Sequence, residues 1–408
     1  MLQPIEKKML DILGATAHGH AASAVTAEEW AAVTAELTAQ TVSSLPAAKI
    51  GSLGLSHEDS NAFLAALGKN VATFYRVAEA HAALFSLLGE AGIPAVVLKG
   101  MGAAMNYPHP EYRAMGDIDI IVPRADFERT CTLLTENAYR PLSDPEFFRR
   151  HLPFRAPDGT EVEVHQYFSS SDNEEQNEVL DAFVFSALGR VQTAAVCGYE
   201  IPVLPPLENG LVLLAHINQH LFTGLGLRQI TDWMFYAEKY LTDDFWNGEF
   251  APAAEKIGLR QLALVTTRMC RKYLAMEPQT EISWCDAPDA DGGDSAGIED
   301  ELMEYILNHG NFGRKDKKQA KTVSMVRNMR NPIRFLKMAQ ENGCQTWELY
   351  HRHRWLRPFA WIYQLFRWLS HAVRDKITPK YLTEKAALEA DETEFLTRLG
   401  VTRLHAKK

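Results

Sequence analysis

The feature that most limits what this chain can fold into is a change of texture at about residue 93. Before it, in 26–42 (TAEEWAAVTAELTAQTV) and 56–92 (SHEDSNAFLAALGKNVATFYRVAEAHAALFSLLGEAG), apolar residues recur at three and four, the period of a helix. Ser56 is a candidate N-cap with Asp59 three positions on, and Gly92 followed by Pro94 ends the run. Beyond it the apolar runs shorten. Ala95–Leu98 and Asp117–Val122 read as strands and 126–137 as an amphipathic helix. Segments 154–156 and 160–168 flank Pro157-Asp158-Gly159, a hairpin signal. A helix over 173–188 and a strand pair over 190–204, turning at Gly198, close the block. From Pro206 the helical pattern returns, broken by Asp286–Asp294 (DAPDADGGD), which reads as a loop. The expected fold is therefore α+β, a small mixed sheet flanked by extensive helical regions: a helical region at 1–90, the core at 91–205, and a helical region at 206–408.

Composition agrees with a globular protein. Of the 408 residues 46% are apolar and 23% charged. No run approaches the ~18 apolar residues of a membrane span, and acids interrupt the N-terminal apolar stretch, unlike a signal peptide. Cysteines 131, 197, 270, 285 and 344 show no paired spacing, as expected of reduced thiols, and the expected location is cytoplasmic. The net charge of −10 argues against general DNA binding, yet it is unevenly spread. Residues 312–408 hold 21 Lys and Arg against 9 Asp and Glu, a net +12, while the rest hold 21 against 43, a net −22. Such a tail docks on the acidic body, attracts an anionic substrate, touches RNA or a membrane surface, or is a solvated face.

Chemistry concentrates in the strand-rich block. Residues two apart on a strand share a face, so Asp117 and Asp119 point one way while Ile118 and Ile120 point into a core. Two carboxylates so placed repel unless a cation lies between them, and oxygen ligands suit Mg²⁺. An Asp-x-Asp is also common on solvated strand faces. Upstream, Leu98-Lys99-Gly100-Met101 runs from a strand into a helix start, where backbone N–H groups beside a cation favour an anion; alternatively Gly100 merely breaks the strand. Downstream, Glu161, Glu163 and His165 alternate onto one face, which is either an exposed strand face or the source of a third carboxylate.

The order phosphate turn, Asp-x-Asp, then a carboxylate on the next hairpin resembles the DNA polymerase beta-like nucleotidyltransferase superfamily. More narrowly, VVLKGMGAAMNYPHPEYRAMGDIDIIV and VEVHQYF resemble a family of uncharacterised bacterial nucleotidyltransferases, through Lys99-Gly100, Tyr107-Pro108, Arg113, Asp117/Asp119 and Glu163-Val164-His165. The likeness extends to His216-Ile217-Asn218-Gln219-His220, Leu227-Arg228, Asp232, Asn311-Phe312-Gly313 and 358–367, covering roughly 80–370.

The resemblance implies a nucleotidyltransferase core that transfers a nucleoside monophosphate from a nucleoside triphosphate by two-metal chemistry with Mg²⁺ or Mn²⁺. Asp117, Asp119 and Glu163 would be the catalytic and metal-holding residues, with Glu161 the other candidate for the third acid. Lys99, Gly100 and Met101 would bind phosphates, and Arg113 would neutralise phosphate charge or steady Asp117. The acceptor is open between a small molecule, a protein and RNA. Met101 stands where many superfamily members have Ser, which favours a competing reading as an inactive nucleotide-binding or interaction module. A third reading is a toxin-like enzyme modifying tRNA or protein. Asp119→Asn is expected to abolish transfer with an unchanged or higher melting temperature, through relief of repulsion with Asp117.

Two helical motifs stand apart. His216 and His220 share a helix face, a spacing open to zinc, to substrate or to core packing, without the Glu of H-E-x-x-H or an evident third ligand. Arg228 and Asp232 read most simply as an i,i+4 ion pair, or else as pocket lining. With His165, these four are the candidate substrate-pocket residues. The aromatic and basic segment Arg354–Arg374 packs on the helical body or lies on a membrane surface.

Overall fold

The computed structural model describes residues 2–142, 150–169, 174–221, 224–286, 297–311, 315, 332–374 and 377–401. Its helices begin with α1 (Pro4–Ala17), α2 (Ala27–Ala39) and α3 (His57–Glu90). Ser56 caps α3, its Oγ accepting from the Asp59 amide at 3.1 Å. Gly92, left-handed at φ 66°, turns the chain out of the helix.

The strand-rich block forms one mixed sheet of seven strands. In chain order it comprises β1 (Val96–Val97), α4 (Met101–Ala104), β2 (Ile118–Ile121), α5 (Phe127–Glu136), β3 (Arg140–Pro141), β4 (His151–Arg155), β5 (Glu161–His165), α6 (Glu174–Ala187), β6 (Gln192–Val196) and β7 (Tyr199–Val203). In space the order is β3-β4-β5-β2-β1-β7-β6. The 157–159 turn joins β4 to β5 and Gly198 joins β6 to β7, with Gly159 and Gly198 both left-handed. β4 starts three residues earlier than expected, and β3 adds an edge pair the alternation does not signal.

Both faces of the sheet are covered. Val77, Ala80, Leu84 and Leu88 of α3 pack with Ile118, Ile120, Val162 and Val164. On the other face Ile121, Val96 and Leu98 meet Val184 of α6 and Val212 of α7 (Pro206–Leu221). The helix that follows, α8 (Leu227–Tyr240), belongs to a larger apolar core. That core joins Leu13 of α1 and Trp30 of α2 to Trp233, Leu262, Leu302 and Leu399, so the chain's first helices and its later ones share one interior.

Within 354–374, the helix Ala360–Arg374 packs on the helix Pro332–Thr346, with Phe335 and Trp368 ring centroids 5.3 Å apart. Trp355, Phe366 and Val373 stay exposed. The loop expected after Asp286, and Phe312-Gly313, lie outside the described residues. None of the five cysteines is in a disulfide. Among the described residues no helix is long and apolar enough to cross a membrane.

Candidate functional site

The site follows from the alternation of β2 and its pairing with β5. Because Ile118 and Ile120 turn into the core under α3, Asp117 and Asp119 are left on the face toward α7. β5 lies parallel to β2 with Glu163 opposite Asp119, so the three carboxylates share a face. One oxygen each of Asp117, Asp119 and Glu163 falls within 4.8 Å of the others. Glu161, at the strand's exposed start, pairs instead with Arg155 at 3.2 Å and stands outside the group.

The three acids do not share one environment. Asp119 is 3% exposed, and its Oδ1 meets Lys99 Nζ at 3.0 Å and His165 Nε2 at 3.1 Å. Burial would raise its carboxyl, but the Lys99 charge and the His165 bond outweigh that and hold it well below the usual range. Among the described residues Asp117 joins no ion pair: the Asp119 charge, then burial, push its carboxyl up, and the Lys99 charge offsets them only in part. Two of the acids thus shift in opposite directions, which concentrates uncompensated negative charge at Asp117. Burial would lower Lys99 and His165, but the same carboxylates keep both shifted up and cationic-leaning.

His151 was not foreseen. It lies opposite His165 across β4 and β5, stacks on it with centroids 4.9 Å apart, and sets Nε2 3.8 Å from Glu163 Oε2. His151, Glu163 and His165 form a second group with ligand atoms within 4.8 Å. The signal was present in the hairpin: counting outward from the 157–159 turn pairs 151 with 165. Pro153 obscured it by breaking the look of a strand.

Gly100 opens α4 with φ 59°, a conformation that L side chains rarely adopt, and a Cβ there would meet Met115 and the Asp117 carbonyl at ordinary contact distance. The Met101 side chain is fully buried in the apolar cluster of Phe74, Ala78 and Val97.

Arg113 needs correction. Its Nε and Nη2 both donate to Asp232, each at 2.7 Å, and Nη1 donates to the Ala114 carbonyl at 3.3 Å. The Tyr107 hydroxyl donates to the same Asp232 at 2.7 Å and meets Thr231 Oγ1 at 2.8 Å. The guanidinium is thus spent on α8 rather than presented to a phosphate. The Arg228–Asp232 ion pair is corrected with it: the Asp232 oxygens are taken by Arg113 and Tyr107, and Arg228 Nε is buried without a partner.

His216 and His220, on α7, lie within electrostatic reach of Lys99. Their Nε2 atoms are 2.8 Å apart, an N–H···N hydrogen bond in which one ring donates and the other accepts. That contact uses one Nε2 as a donor, where a shared ion would need both lone pairs. Burial, then the Lys99 charge, depress both rings, His220 to about 3. A further histidine, His81 of α3, is fully buried with neither ring nitrogen bonded, and burial lowers it to about 3.

A family model described as uncharacterised nucleotidyltransferase matches residues 26–275, a span that contains every site residue above. No curated protein matches the chain. Among solved structures, an antigenic nucleotidyltransferase-like protein from Paracoccidioides brasiliensis aligns at 16% identity with a TM-score of 0.33, covering 50% of this chain and 94% of that one.

Proposed function

Because this chain belongs to the uncharacterised nucleotidyltransferase family, we propose that Asp117, Asp119 and Glu163 hold a divalent cation, Mg²⁺ or Mn²⁺, against a nucleoside triphosphate, and that the chain transfers a nucleoside monophosphate to an acceptor hydroxyl. The observation that carries this is the convergence of three carboxylates with ligand oxygens within 4.8 Å, one of them lacking a cation of its own. An all-oxygen donor set with spare negative charge fits a hard cation. Bound there, the ion would neutralise phosphate charge and polarise the phosphoryl group under attack.

The chain's own groups have distinct parts in this reading. Lys99 and His165 fix the Asp119 carboxylate in place and keep it ionised. Glu163, touched by His165 Nε2 at 3.4 Å, is positioned to take the proton of the acceptor hydroxyl. As that oxygen bonds to the α-phosphorus, the bond to the departing pyrophosphate breaks, and the proton resides on the Glu163 carboxylate. Lys99 is engaged by Asp119, so it is not free to hold the terminal phosphates by itself.

Calorimetric titration of ATP and GTP, with Mg²⁺ and with EDTA, tests the reading. A carboxylate cluster without its cation repels a triphosphate, so binding is expected only with the divalent ion. Equal binding in EDTA would move the anion site to the basic tail and sink the proposal.

A further inference from the structure

Besides His165, a lysine and two arginines act on the carboxylate cluster, and two of these three are committed. Lys99 is held by Asp119 at 3.0 Å, and Arg113 is closed on Asp232. The third, Arg228 in the first turn of α8, is largely buried yet donates no side-chain hydrogen bond and joins no ion pair among the described residues. The charges of Arg113, Asp232 and Asp117 act on it, and its own charge reaches His216 and His220, so it lies within electrostatic reach of Asp117 in the carboxylate cluster.

This is an unusual state for an arginine. A desolvated guanidinium with no ion pair in contact is costly: burial, then the like charge of Arg113, outweigh the more distant charges of Asp232 and Asp117 and lower its pKa. An acid that could relieve it, Asp232, sits one helical turn away, but its oxygens are taken by Arg113 and Tyr107. The neighbouring His216–His220 pair is neutral and offers no anion. What the position lacks is an oxyanion with oxygens spaced for the guanidinium fork, as on a phosphate.

We infer that Arg228 is the seat for the terminal phosphates of the nucleotide, gripping the β- and γ-phosphate oxygens while the α-phosphate lies at the carboxylates. This rests on the proposed nucleotide reading and extends it by naming what holds the leaving group. Selectivity for triphosphate over monophosphate then resides in α8 rather than in the Lys99–Gly100 turn.

The test compares wild type, Arg228→Gln and Arg228→Lys by calorimetry with Mg²⁺ present, using ATP, AMP and inorganic tripolyphosphate. Arg228→Gln is expected to weaken ATP and tripolyphosphate at least about tenfold while leaving AMP unchanged. Arg228→Lys, which keeps the charge but not the fork, should fall between. Since no partner is lost, the melting temperature of Arg228→Gln in the absence of ligand should be no lower than that of wild type. Retention of full ATP and tripolyphosphate affinity in Arg228→Gln overturns the inference. The two proposals separate cleanly: if wild type takes up tripolyphosphate but not ATP, and Arg228→Gln loses it, the phosphate seat stands and the nucleotide reading falls. If wild type binds neither anion, the seat falls as well.

Discussion

The Arg113–Asp232 cluster and the Asp117–Asp119–Glu163 cluster both gather carboxylates and cations, but the first is buried and closed while the second, with Asp117 and Glu163 half-buried, is open. In the first, the Asp232 oxygens accept from Arg113 and Tyr107, and each neighbour is satisfied in turn. It ties the loop before β2 to α8, joining the sheet to the helical core. In the second, three carboxylates face Lys99, His165 and His151, and Asp117 is left with the Asp119 charge as its strongest influence. Buried charge that is fully paired locks two elements together, whereas buried charge left over marks a place for something the chain does not supply.

The comparison predicts opposite consequences for conservative amide substitutions. Asp232→Asn should be the most damaging to stability, because it strands Arg113 without its counter-charge; breaking a buried pair this way costs about 3–5 kcal/mol. Urea unfolding would measure it, and a loss under about 1 kcal/mol would show that the joint is dispensable. Asp117→Asn should leave the fold as stable or more so, since it removes repulsion with Asp119. The same change should weaken metal-dependent nucleotide turnover at least about a hundredfold. A thermal melt reads the first effect and a Mn²⁺-dependent turnover assay the second, and an Asp117→Asn variant that melts lower while turning over normally would reverse the assignment. The relief of repulsion expected of Asp119→Asn belongs to Asp117 instead: Asp119 offsets Lys99 and His165, so its amide should lower stability.

Much of this was legible in the residues because strand periodicity is local. The alternation of 117–122 put both aspartates on one face, and the Pro-Asp-Gly turn located the hairpin that brings up Glu163. What was not legible depends on partners far apart in the chain. Arg228 and Asp232 sit at i and i+4, which predicts a pair, but Asp232 meets Arg113 from 119 residues away. Nothing in helix spacing reveals that competitor, and the freed arginine became visible only when α8 was seen against the sheet. His151 was hidden by proline in its strand, and His81 by a helix face on which a histidine reads like any packed ring.

A further buried ion pair, outside the carboxylate cluster, tests the same distinction with the smallest effect. His18 of α1 places Nδ1 2.8 Å from the Gly14 carbonyl and Nε2 2.7 Å from Glu238 Oε1 on α8. Both partners are acceptors while Glu238 is ionised, so both ring nitrogens must carry protons, and the geometry demands an imidazolium. Burial would lower the His18 pKa, but Glu238 outweighs it and the group is shifted above 6.5. The pair therefore contributes in full below the unfolded value of 6.5, and its contribution is lost as pH rises through the higher folded value. In Glu238→Gln the amide N–H₂ is able to donate to a neutral ring, so a hydrogen bond survives while its dependence on the proton disappears. Unfolding free energies of wild type and variant, compared from about pH 5.5 to about pH 8.5, should differ by about 1 kcal/mol or less at the acid end, and converge at the alkaline end. A gap that is constant with pH would mean the contact is held by packing against Phe235 rather than by charge. His18 would then count with the apolar core it borders instead of with the closed ion pairs.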